Sequence, residues 1–371
     1  MGTIKIALPY VLVSFLISLL LTPVVKKIGL SINAYAVENN RTVHHGKIVR
    51  IGGVAIFLAF ILTMTIFVHP DKTFNAIIVG GLIVFIGGLI DDIFDLKPIA
   101  KMAFQIVGAL YVVFVGKISL SELNLPFLTV DISAIDYLIS IVWIVGVTNA
   151  INLIDGLDGL SCGLSIIVVC VIGFIGYQMR RIDIAIVALI LSGSIAGVLP
   201  YNFNPASIFV GDSGALFMGF MISSLSLLGF KSSTFISLLM PLIILFVPLA
   251  DTSLAIIRRK LKGQKISEAD RSHLHHVLML KIGFSHRNTV LLLYLVSLLF
   301  GIDAIVMYFH QTAGIIMLVI LCVLAWIFIE LTGMIKPGFH PLVGLCRRIT
   351  GHPKKSKDAI FDANKIENET D

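Results

Sequence analysis

The chain contains 371 residues, of which 57% are hydrophobic and only 13% are charged, and its mean hydropathy is +0.99. A soluble protein of this length needs a charged surface that such a composition cannot supply, so a soluble globular fold is excluded. The net charge of +6 requires no nucleic-acid partner, because a basic cytoplasmic face also suits anionic lipid or an anionic substrate.

Apolar runs close to twenty residues long recur along the chain, and about twenty apolar residues cross a bilayer as a helix. The sequence therefore predicts an all-α, polytopic helical membrane protein, since backbone exposed to lipid must satisfy its own hydrogen bonds. The first run is too long for a signal-peptide core and is predicted to be retained as a span. The eleven predicted spans cover residues 4–25, 51–69, 74–93, 99–117, 133–150, 159–179, 182–200, 213–231, 234–257, 288–309 and 312–334.

The distribution of Lys and Arg predicts the orientation of these spans. Four segments on one side of the membrane hold 22 of the 28 Lys and Arg. The positive-inside rule makes that side cytoplasmic, with the N-terminus outside and the C-terminus inside. Arg180 and Arg181, on the other side, are a local exception. The basic segments are residues 26–50, 94–101 and 258–287 and the tail from Lys336, with 5, 2, 8 and 7 Lys and Arg.

The domain organisation is predicted to be simple. We expect one integral-membrane domain over residues 1–335, because the sequence shows no internal repeat and no separate soluble domain. Residues 336–371 are expected to form a polar, poorly ordered cytoplasmic tail. The predicted location is the cell membrane, as a multi-pass protein.

Two adjacent carboxylates, Asp91 and Asp92, lie at the cytoplasmic end of the third predicted span, and Asp95 lies one helical turn beyond Asp91. Adjacent carboxylates repel each other, and a bound cation is one way to keep both of them ionised. Lys101 follows at the start of the next predicted helix and is a candidate substrate-binding residue. The alternative interpretation of this segment is a solvated helix end.

The stretch from Asn149 to Ser161 reads N-A-I-N-L-I-D-G-L-D-G-L-S and lies between two long apolar runs. Positions three apart lie on neighbouring parts of one helical face, so a spacing of three predicts a polar stripe about three turns long. The alternative is a polar helix cap at the membrane surface, with Asp158 capping the next helix. The residues at this spacing are Asn149, Asn152, Asp155 and Asp158.

A short predicted cytoplasmic loop between the seventh and eighth spans carries Asn202 and Asp212. Gly211 and Gly214 allow the backbone to approach a ligand closely. Asp212 and the serine after it could instead cap the eighth span. Phe209 is either an ordinary core residue or a platform on which a base stacks, and the residue type alone does not distinguish the two.

Asp251 lies at the cytoplasmic end of the ninth predicted span, and the following loop contains A-D-R-S-H-L-H-H-V-L. His273 and His276 are expected on one helical face, with His275 offset. Two His beside carboxylates are compatible with zinc, but the Asp-rich remainder is a set of hard oxygen ligands that favours magnesium or manganese. Basic and His side chains also bind phosphate directly.

The polar clusters at 91–95, 149–158, 202–212, 251 and 270–276 all map to the cytoplasmic side, although that side was assigned from Lys and Arg alone. Ionisable residues in or beside a membrane indicate function, so their convergence predicts one active site. A cation that neutralises a diphosphate, basic groups that hold phosphates and a carboxylate that orients the attacking group suit transfer of a phosphoryl-linked group. The membrane setting indicates that one substrate is a lipid.

Four elements, G-L-I-D-D-I-F-D-L, N-A-I-N-L-I-D-G-L-D-G-L, Y-N-F-N-P-A-S-I-F-V-G-D-S-G and D-R-S-H-L-H-H, follow one another along the chain. They resemble the motifs of the polyprenyl-phosphate N-acetylhexosamine-1-phosphate transferase family, glycosyltransferase family 4, over about residues 41–290. The resemblance implies a membrane fold of about ten or eleven helices with a cytoplasmic, magnesium-dependent site. It also implies transfer of a sugar 1-phosphate from a UDP-sugar to undecaprenyl phosphate, with release of UMP.

The resemblance implies roles for individual residues as well. Asp212 matches the principal magnesium ligand, with Mn²⁺ as the alternative ion. Asp91 and Asp92 match the acidic pair that activates or orients the lipid phosphate, with Asp92 nearer the metal. The implied catalytic residues are Asp91, Asp92, Asp155, Asp158, His273, His275 and His276, of which the three His match a phosphate- or sugar-facing set.

Other positions are predicted to bind the substrates. Asn152, Asp155 and Asp158 match nucleotide-site residues, and a nucleophilic role is also implied for Asp155. Phe209 matches the position that stacks uracil, and Asn202 matches a nucleotide contact. The predicted substrate-binding residues are Arg41, His44, Arg50, Lys101, Asn149, Asn152, Asn202, Phe209 and Arg271.

Two loops differ from sequence patterns that are usual in the family or in one of its branches. Residues 34–49 lack the Asp-x-Pro and Pro-x-Pro that the family usually has there, which weakens any assignment of roles within this loop. The last cytoplasmic loop has H-L-H-H where phospho-MurNAc-pentapeptide transferases usually have P-x-H-H-H, and this favours the N-acetylglucosamine 1-phosphate branch. That branch starts wall teichoic acid, O-antigen or related polymers. The alternative is the same chemistry with another UDP-sugar, such as UDP-MurNAc-pentapeptide.

A membrane transporter is the competing class, because transporters also use carboxylates within the membrane. Their polar residues are expected near mid-span, whereas the clusters here lie at span ends. The sequence therefore predicts an Mg²⁺-dependent phosphotransferase that uses UDP-GlcNAc and undecaprenyl phosphate at the cytoplasmic face of the cell membrane. A second copy of the chain, in a homodimer, is a further candidate partner.

Overall fold

The computed structural model describes residues 2–36, 47–119, 122–125, 128–131, 135–229, 235–261, 263 and 273–334. Within these ranges the chain forms thirteen helices and two short antiparallel strand pairs. The helices are α1 (Gly2–Ser31), α2 (Gly53–Phe67), α3 (Lys72–Phe94), α4 (Pro98–Phe114), α5 (Asp136–Ile154), α6 (Leu160–Gln178), α7 (Ile182–Asn202), α8 (Gly211–Gly229), α9 (Phe235–Ile244), α10 (Phe246–Leu261), α11 (Leu274–Leu280), α12 (His286–Phe309) and α13 (Gln311–Thr332). The strands are β1 (Tyr35–Ala36), β2 (Ile48–Val49), β3 (Glu122–Leu125) and β4 (Leu128–Asp131).

The described helices have the properties of membrane spans. Eight of them, α1, α3, α5, α6, α7, α8, α12 and α13, are long and apolar enough to cross a membrane, and α2 and α4 are shorter apolar helices. On α13, large apolar side chains such as Ile316, Val319 and Leu324 are exposed. Exposed apolar side chains on a spanning helix are suited to lipid. The prediction of an all-α, polytopic helical membrane protein is therefore confirmed.

The ninth predicted span, residues 234–257, is not one continuous helix. α9 ends at Ile244 and α10 begins at Phe246. Pro248, in the first turn of α10, has no N–H to donate to the carbonyl four residues earlier, so it interrupts the helical hydrogen bonds at this point. The ninth predicted span therefore contains two helices, α9 and α10.

α8 lies at the centre of the bundle, and nearly all of its side chains are buried against α2, α3, α5, α6 and α7. Glycines permit the close approach of its neighbours. A Cβ atom on Gly53 of α2 would lie 2.1 Å from the backbone nitrogen of Gly214, and one on Gly88 of α3 would lie 2.6 Å from the carbonyl oxygen of Asp212. These contacts bring the C-terminal end of α3, with its two carboxylates, to the N-terminal end of α8.

The segment between α1 and α2 is attached to the loop between α7 and α8. Val49 of β2 forms a parallel bridge with Ile208. The Phe209 N–H donates to the Val49 carbonyl at 2.7 Å, and the Gly52 N–H donates to the Phe209 carbonyl at 2.9 Å. These bonds fix the position of the loop that leads into α8.

Candidate functional site

Predicted site residues from distant parts of the chain meet at one end of the bundle. They lie at the C-terminal ends of α3 and α5 and at the N-terminal ends of α4, α6 and α8. Because successive spans run in opposite directions, these ends belong to the same side of the membrane. Hydrogen bonds between Lys101, Asn152 and Asp212 join three of these helices directly.

An ammonium group joins two of the predicted carboxylates. Lys101 Nζ lies 2.9 Å from Asp91 Oδ2 and 2.7 Å from Asp212 Oδ2. Asn152 Nδ2 donates to Asp212 Oδ1 at 3.2 Å. The Lys101 and Asp212 side chains are 27% and 24% exposed, so a ligand can reach this charged cluster from outside the bundle.

Asp92 makes different contacts from its neighbour. Its Oδ1 accepts the Asp212 N–H at 2.8 Å, and its Oδ2 accepts the Ser213 N–H at 3.0 Å. The side chain is buried. It therefore caps the N-terminus of α8, where the helix dipole favours a negative charge. The cap of this helix comes from α3 and not from Asp212 and Ser213 themselves.

Three carboxylates in this cluster form a set that fits a divalent cation. Asp91, Asp92 and Asp212 each offer one oxygen, and the three atoms lie within 4.8 Å of one another. Carboxylate oxygens are the ligands that Mg²⁺ and Mn²⁺ prefer, whereas zinc favours nitrogen and sulfur. The donor set thus includes both predicted metal ligands, Asp212 and Asp92, and adds Asp91.

The stretch from Asn149 to Ser161 does not form one helix. α5 ends at Ile154, and α6 begins at Leu160 after Gly159, whose φ of +79° lies in the left-handed region that suits glycine. The predicted three-turn helical stripe is therefore wrong. Its two amides lie on the last turns of α5, and its two carboxylates lie on the turn that follows.

Asn149 pairs with a residue of α4 that was not among the predicted site residues. Asn149 Nδ2 donates to Gln105 Oε1 at 2.6 Å, and Gln105 Nε2 donates to Asn149 Oδ1 at 3.3 Å. Gln105 is buried. These reciprocal bonds join α4 to α5 beside Lys101 and Asn152. The predicted contact between Asn149 and a substrate stays a prediction.

Asp155 follows α5 directly and accepts a hydrogen bond from the hydroxyl of Ser161. Burial raises the pKa of the Asp155 carboxyl to about 7, and the negative charges of Asp212 and Asp158 act in the same direction. A carboxyl group with this pKa can take up or release a proton near neutral pH.

The raised pKa makes the stability of the protein depend on pH at Asp155. The carboxyl binds its proton more tightly in the folded protein, with a pKa of about 7, than at its ordinary value of 3.8. The resulting stabilisation is complete below pH 3.8 and is lost as the pH rises through about 7. Asp155→Asn removes this dependence, so its Tm should improve relative to wild type from about pH 5 to about pH 8. Thermal unfolding of both proteins in detergent measures this, and a constant Tm difference would contradict the shifted pKa.

Asp158 and Asn202 hold two loops together. Asp158 Oδ2 accepts from Asn204 Nδ2 at 3.0 Å and from the backbone N–H two residues further on at 3.1 Å. Asn202 accepts the Gly159 N–H at 3.1 Å and donates to the Ile208 carbonyl at 3.0 Å. The N-cap residue of α6 is Gly159, which has no side chain to cap the helix. Nucleotide contacts of these two residues stay predictions.

Arg50 and Phe209 lie on the two segments that the β2 bridge joins. Arg50 Nε donates to the Asp92 carbonyl at 3.0 Å, and its guanidinium forms an ion pair with Asp95. Asp95 ends α3 in the left-handed conformation, with φ at 50°. Phe209 is half-buried. Arg50 thus holds the end of α3 in place, and substrate binding by either residue stays a prediction.

The His segment begins before α11. His273 Nδ1 lies 2.8 Å from Asp251 Oδ2. The rings of His273 and His275 are nearly parallel, with 5.8 Å between centroids, and the His276 ring lies 4.3 Å from that of His275. The prediction that His273 and His276 share one helical face is wrong, because α11 begins only at Leu274.

His275 connects this segment to the turn that carries Asp155. A Cβ atom on Gly156 would lie 2.7 Å from His275 Nε2, so the ring lies directly against the turn. Burial lowers the pKa of His275 to about 3, so its ring is neutral at physiological pH. Within the described part of the chain, neither ring nitrogen of His275 has a hydrogen-bond partner.

Some predicted residues cannot be placed, and some neighbours were not predicted. Asp251 belongs to the polar clusters that were predicted to form one active site. Gln105 and Ser161 contact site residues but were not predicted. Their signal is only a polar side chain in an apolar segment, which indicates function without naming a partner. Outside the described residues lie Arg41, His44, Arg271 and the tail of residues 336–371.

Comparison with known proteins gives an independent line of information. The sequence model of glycosyl transferase family 4 matches residues 74–230, a range that contains Asp91, Asp92 and Asp212 and ends before the His segment. The chain is 40% identical over 351 residues to a "Probable undecaprenyl-phosphate N-acetylglucosaminyl 1-phosphate transferase" of Bacillus subtilis (strain 168), covering 93% of this chain and 97% of the relative.

More distant relatives have similar descriptions. The chain is 31% identical to a "Decaprenyl-phosphate N-acetylglucosaminephosphotransferase" of Mycobacterium tuberculosis (strain ATCC 25618 / H37Rv), over 76% of this chain and 78% of the relative. It is 28% identical to an "Undecaprenyl-phosphate alpha-N-acetylglucosaminyl 1-phosphate transferase" of Escherichia coli (strain K12), over 80% of this chain and 82% of the relative. The similarity thus extends over most of each chain, beyond the acidic motifs.

Proposed function

The chain belongs to glycosyl transferase family 4, the polyprenyl-phosphate N-acetylhexosamine-1-phosphate transferases, and we propose that it transfers N-acetylglucosamine 1-phosphate from UDP-GlcNAc to undecaprenyl phosphate. An oxygen of the lipid phosphate bonds to the sugar-linked β-phosphorus. The bond from that phosphorus to the bridging oxygen breaks, and UMP leaves. The observation that carries this proposal is the partly exposed cluster of Asp91, Asp92, Asp212 and Lys101.

Mg²⁺ is the proposed cofactor, because the three carboxylates form a set of hard oxygen donors. Asp212, Asp92 and Asp91 would hold the ion, and when bound it would neutralise the charge of a diphosphate. Lys101 adds a fixed positive charge beside the same carboxylates, which suits a phosphate group. Asn152 holds the Asp212 carboxylate in position through its hydrogen bond at 3.2 Å.

Asp155 is the proposed proton acceptor. The pKa of its carboxyl is about 7, and the second pKa of a phosphate monoester is about 6. Asp155 can therefore accept a proton from a lipid phosphate that binds within hydrogen-bond reach of it. The doubly ionised phosphate is the better nucleophile for the transfer.

The choice of sugar and acceptor follows the relatives. Their names specify N-acetylglucosamine phosphate and an undecaprenyl or decaprenyl phosphate. We propose that the product begins a cell-wall or surface polysaccharide, such as teichoic acid or O-antigen, at the cytoplasmic face of the cell membrane.

A comparison of two donors tests the choice of sugar. The purified protein receives undecaprenyl phosphate with UDP-GlcNAc or UDP-MurNAc-pentapeptide, and UMP release is measured. Release with UDP-GlcNAc is expected, and release only with the other donor would contradict it.

Uridine recognition is the proposed role of Phe209. An aromatic face adds roughly 0.5–1.5 kcal/mol beyond its buried area, and about 1.4 kcal/mol corresponds to a tenfold change in affinity. Phe209→Ala should therefore weaken UDP-GlcNAc binding about tenfold and change undecaprenyl phosphate binding much less. Titration of each substrate measures this. Phe309→Ala, at the C-terminal end of α12, is the control. Unchanged nucleotide affinity would make Phe209 an ordinary packing residue.

The cytoplasmic location of the site can be tested by labelling. Ser207 lies in the loop before α8 and Lys72 at the opposite end of α3, so the two should be on opposite sides of the membrane. In a cysteine-free background, Ser207→Cys should react with a membrane-impermeant maleimide only after the cells are opened. Lys72→Cys should react in intact cells, and the reverse pattern would overturn the proposed orientation.

A further inference from the structure

Asp251 connects α10 to the His segment through both of its carboxylate oxygens. Oδ2 lies 2.8 Å from His273 Nδ1, and Oδ1 accepts the Leu274 N–H at 2.7 Å. The carboxylate is 1% exposed. A buried carboxylate with two such bonds has a fixed orientation, and it fixes the groups that donate to it.

The bond to Leu274 supplies a helix cap that the sequence near α11 lacks. His273 occupies the N-cap position of α11 but makes no side-chain cap bond. Asp251 takes over that function from another helix, because its Oδ1 accepts the first backbone N–H of α11. The start of α11 is thereby attached to the N-terminal half of α10.

The bond to His273 selects a tautomer of its ring. An ionised carboxylate only accepts hydrogen bonds, so the proton of the neutral ring lies on Nδ1 and the lone pair lies on Nε2. Nε2 is at the opposite edge of the ring from Asp251. The adjacent ring of His275, 5.8 Å away, lies against Gly156 in the turn that carries Asp155. A continuous series of contacts thus runs from Asp251 to the proposed transfer site.

We propose that Asp251 is a positioning residue for the transfer reaction, which holds His273 with Nδ1–H toward itself and with the Nε2 lone pair available to accept a hydrogen bond from a hydroxyl or amide N–H of the sugar substrate. The inference rests on the proposed function for the identity of that substrate. Asp251 touches no reacting atom in this arrangement and acts only through His273. A residue that only anchors α11 would have no influence on the tautomer of the ring.

Asp251→Asn separates these two roles. The amide oxygen still accepts the Leu274 N–H, while the amide NH₂ now donates to His273 Nδ1 and moves the ring proton to Nε2. Asp251→Ala removes the cap and the contact with the ring together. Asp71→Asn is the matched control, because Asp71 caps α3 at the Phe74 N–H, far along the chain from the His segment.

The first readout does not depend on activity. Long-range ¹⁵N spectra of histidine-labelled protein, taken at about pH 8.5, where ordinary imidazole is neutral, should show an Nδ1–H ring that disappears in His273→Gln. In Asp251→Asn that ring should become Nε2–H, while Asp71→Asn leaves it unchanged. An unchanged tautomer in Asp251→Asn would overturn the proposal.

The second readout is turnover. Removing a carboxylate that orients a metal-ligating His costs about 10- to 100-fold in affinity or activity. We expect a similar effect at His273, so Asp251→Asn should lower kcat by about that factor with little change in KM or Tm. In a His273→Gln background, Asp251→Asn should not lower kcat any further, because the two residues act as one unit. Equal losses in both backgrounds would overturn the role of Asp251 through His273. If the wild type releases no UMP while the tautomer still switches, the proposed function fails and the contact that fixes the ring is upheld.

Discussion

Replacing Asp212 by Asn is expected to abolish turnover while leaving the fold intact. Asp212 accepts from both Lys101 and Asn152 and offers one of the three oxygens of the proposed Mg²⁺ set. An amide oxygen is a weaker ligand for a hard cation, and the substitution also removes a negative charge. Loss of about 4 kcal/mol of transition-state stabilisation corresponds to about a thousandfold slower reaction.

The measurement is UMP release over a range of Mg²⁺ concentrations, with Tm recorded for each protein. EDTA should stop the wild type, and Mg²⁺ or Mn²⁺ should restore it. Asp183→Asn is the matched control, because that carboxylate is exposed and pairs only with neighbouring Arg181 among the described contacts. Near-normal turnover of Asp212→Asn at limiting Mg²⁺ would remove Asp212 from the metal site.

The two adjacent carboxylates should respond differently to replacement by Ala. Both variants are expected to lose turnover by orders of magnitude, since both carboxylates belong to the proposed metal set. Asp92→Ala should also lower Tm, because it leaves the buried N–H groups of Asp212 and Ser213 without their acceptor. Each unsatisfied donor costs about 1–3 kcal/mol. Asp91→Ala should lower Tm less, because it leaves one backbone N–H, that of Leu96, without its acceptor, and its other partner, Lys101, is partly exposed.

Turnover and thermal unfolding of the two variants, measured on the same preparations, distinguish the roles. Asp95→Ala is a control for charge at the same helix end, because Asp95 is exposed and pairs with Arg50. If both variants lost activity only in proportion to their folded fraction, the acidic pair would be a helix end without a role in the reaction. Equal Tm values for both would contradict the capping role of Asp92.

Hydrophobicity was sufficient to place the helices, because burial in lipid acts on every residue of a long segment. Each predicted span contains an observed helix, including 182–200 at α7 and 213–231 at α8. The positions where a helix breaks were harder to predict. Pro248 and Gly159 each act locally, on a few hydrogen bonds, and an average over twenty residues does not show them. Hence the polar stripe was wrongly predicted to be one continuous helix, and the ninth predicted span contains two helices.

The carboxylates of the candidate site were also predictable, because an acidic residue in an apolar chain is rare. Their partners were not, since spacing along the chain says nothing about contacts between helices. Asp92 caps α8 from α3, and Asp251 caps α11 from α10. Arg50 and Asn202, which are predicted to bind substrates, also form hydrogen bonds to protein groups that the sequence did not predict. The packing of α8 against its glycine-bearing neighbours brings Asp92 to the start of α8.

The most direct test of the account asks which phosphorus moves. Purified protein in lipid–detergent micelles receives undecaprenyl phosphate, Mg²⁺ and UDP-GlcNAc that carries ³²P at either the β- or the α-phosphorus. Transfer of N-acetylglucosamine 1-phosphate predicts that the β-label appears in the lipid fraction and the α-label in UMP. Asp212→Asn should show neither. A β-label that stays with the nucleotide, as UDP, would mean that the sugar moves without its phosphate and would contradict the central claim.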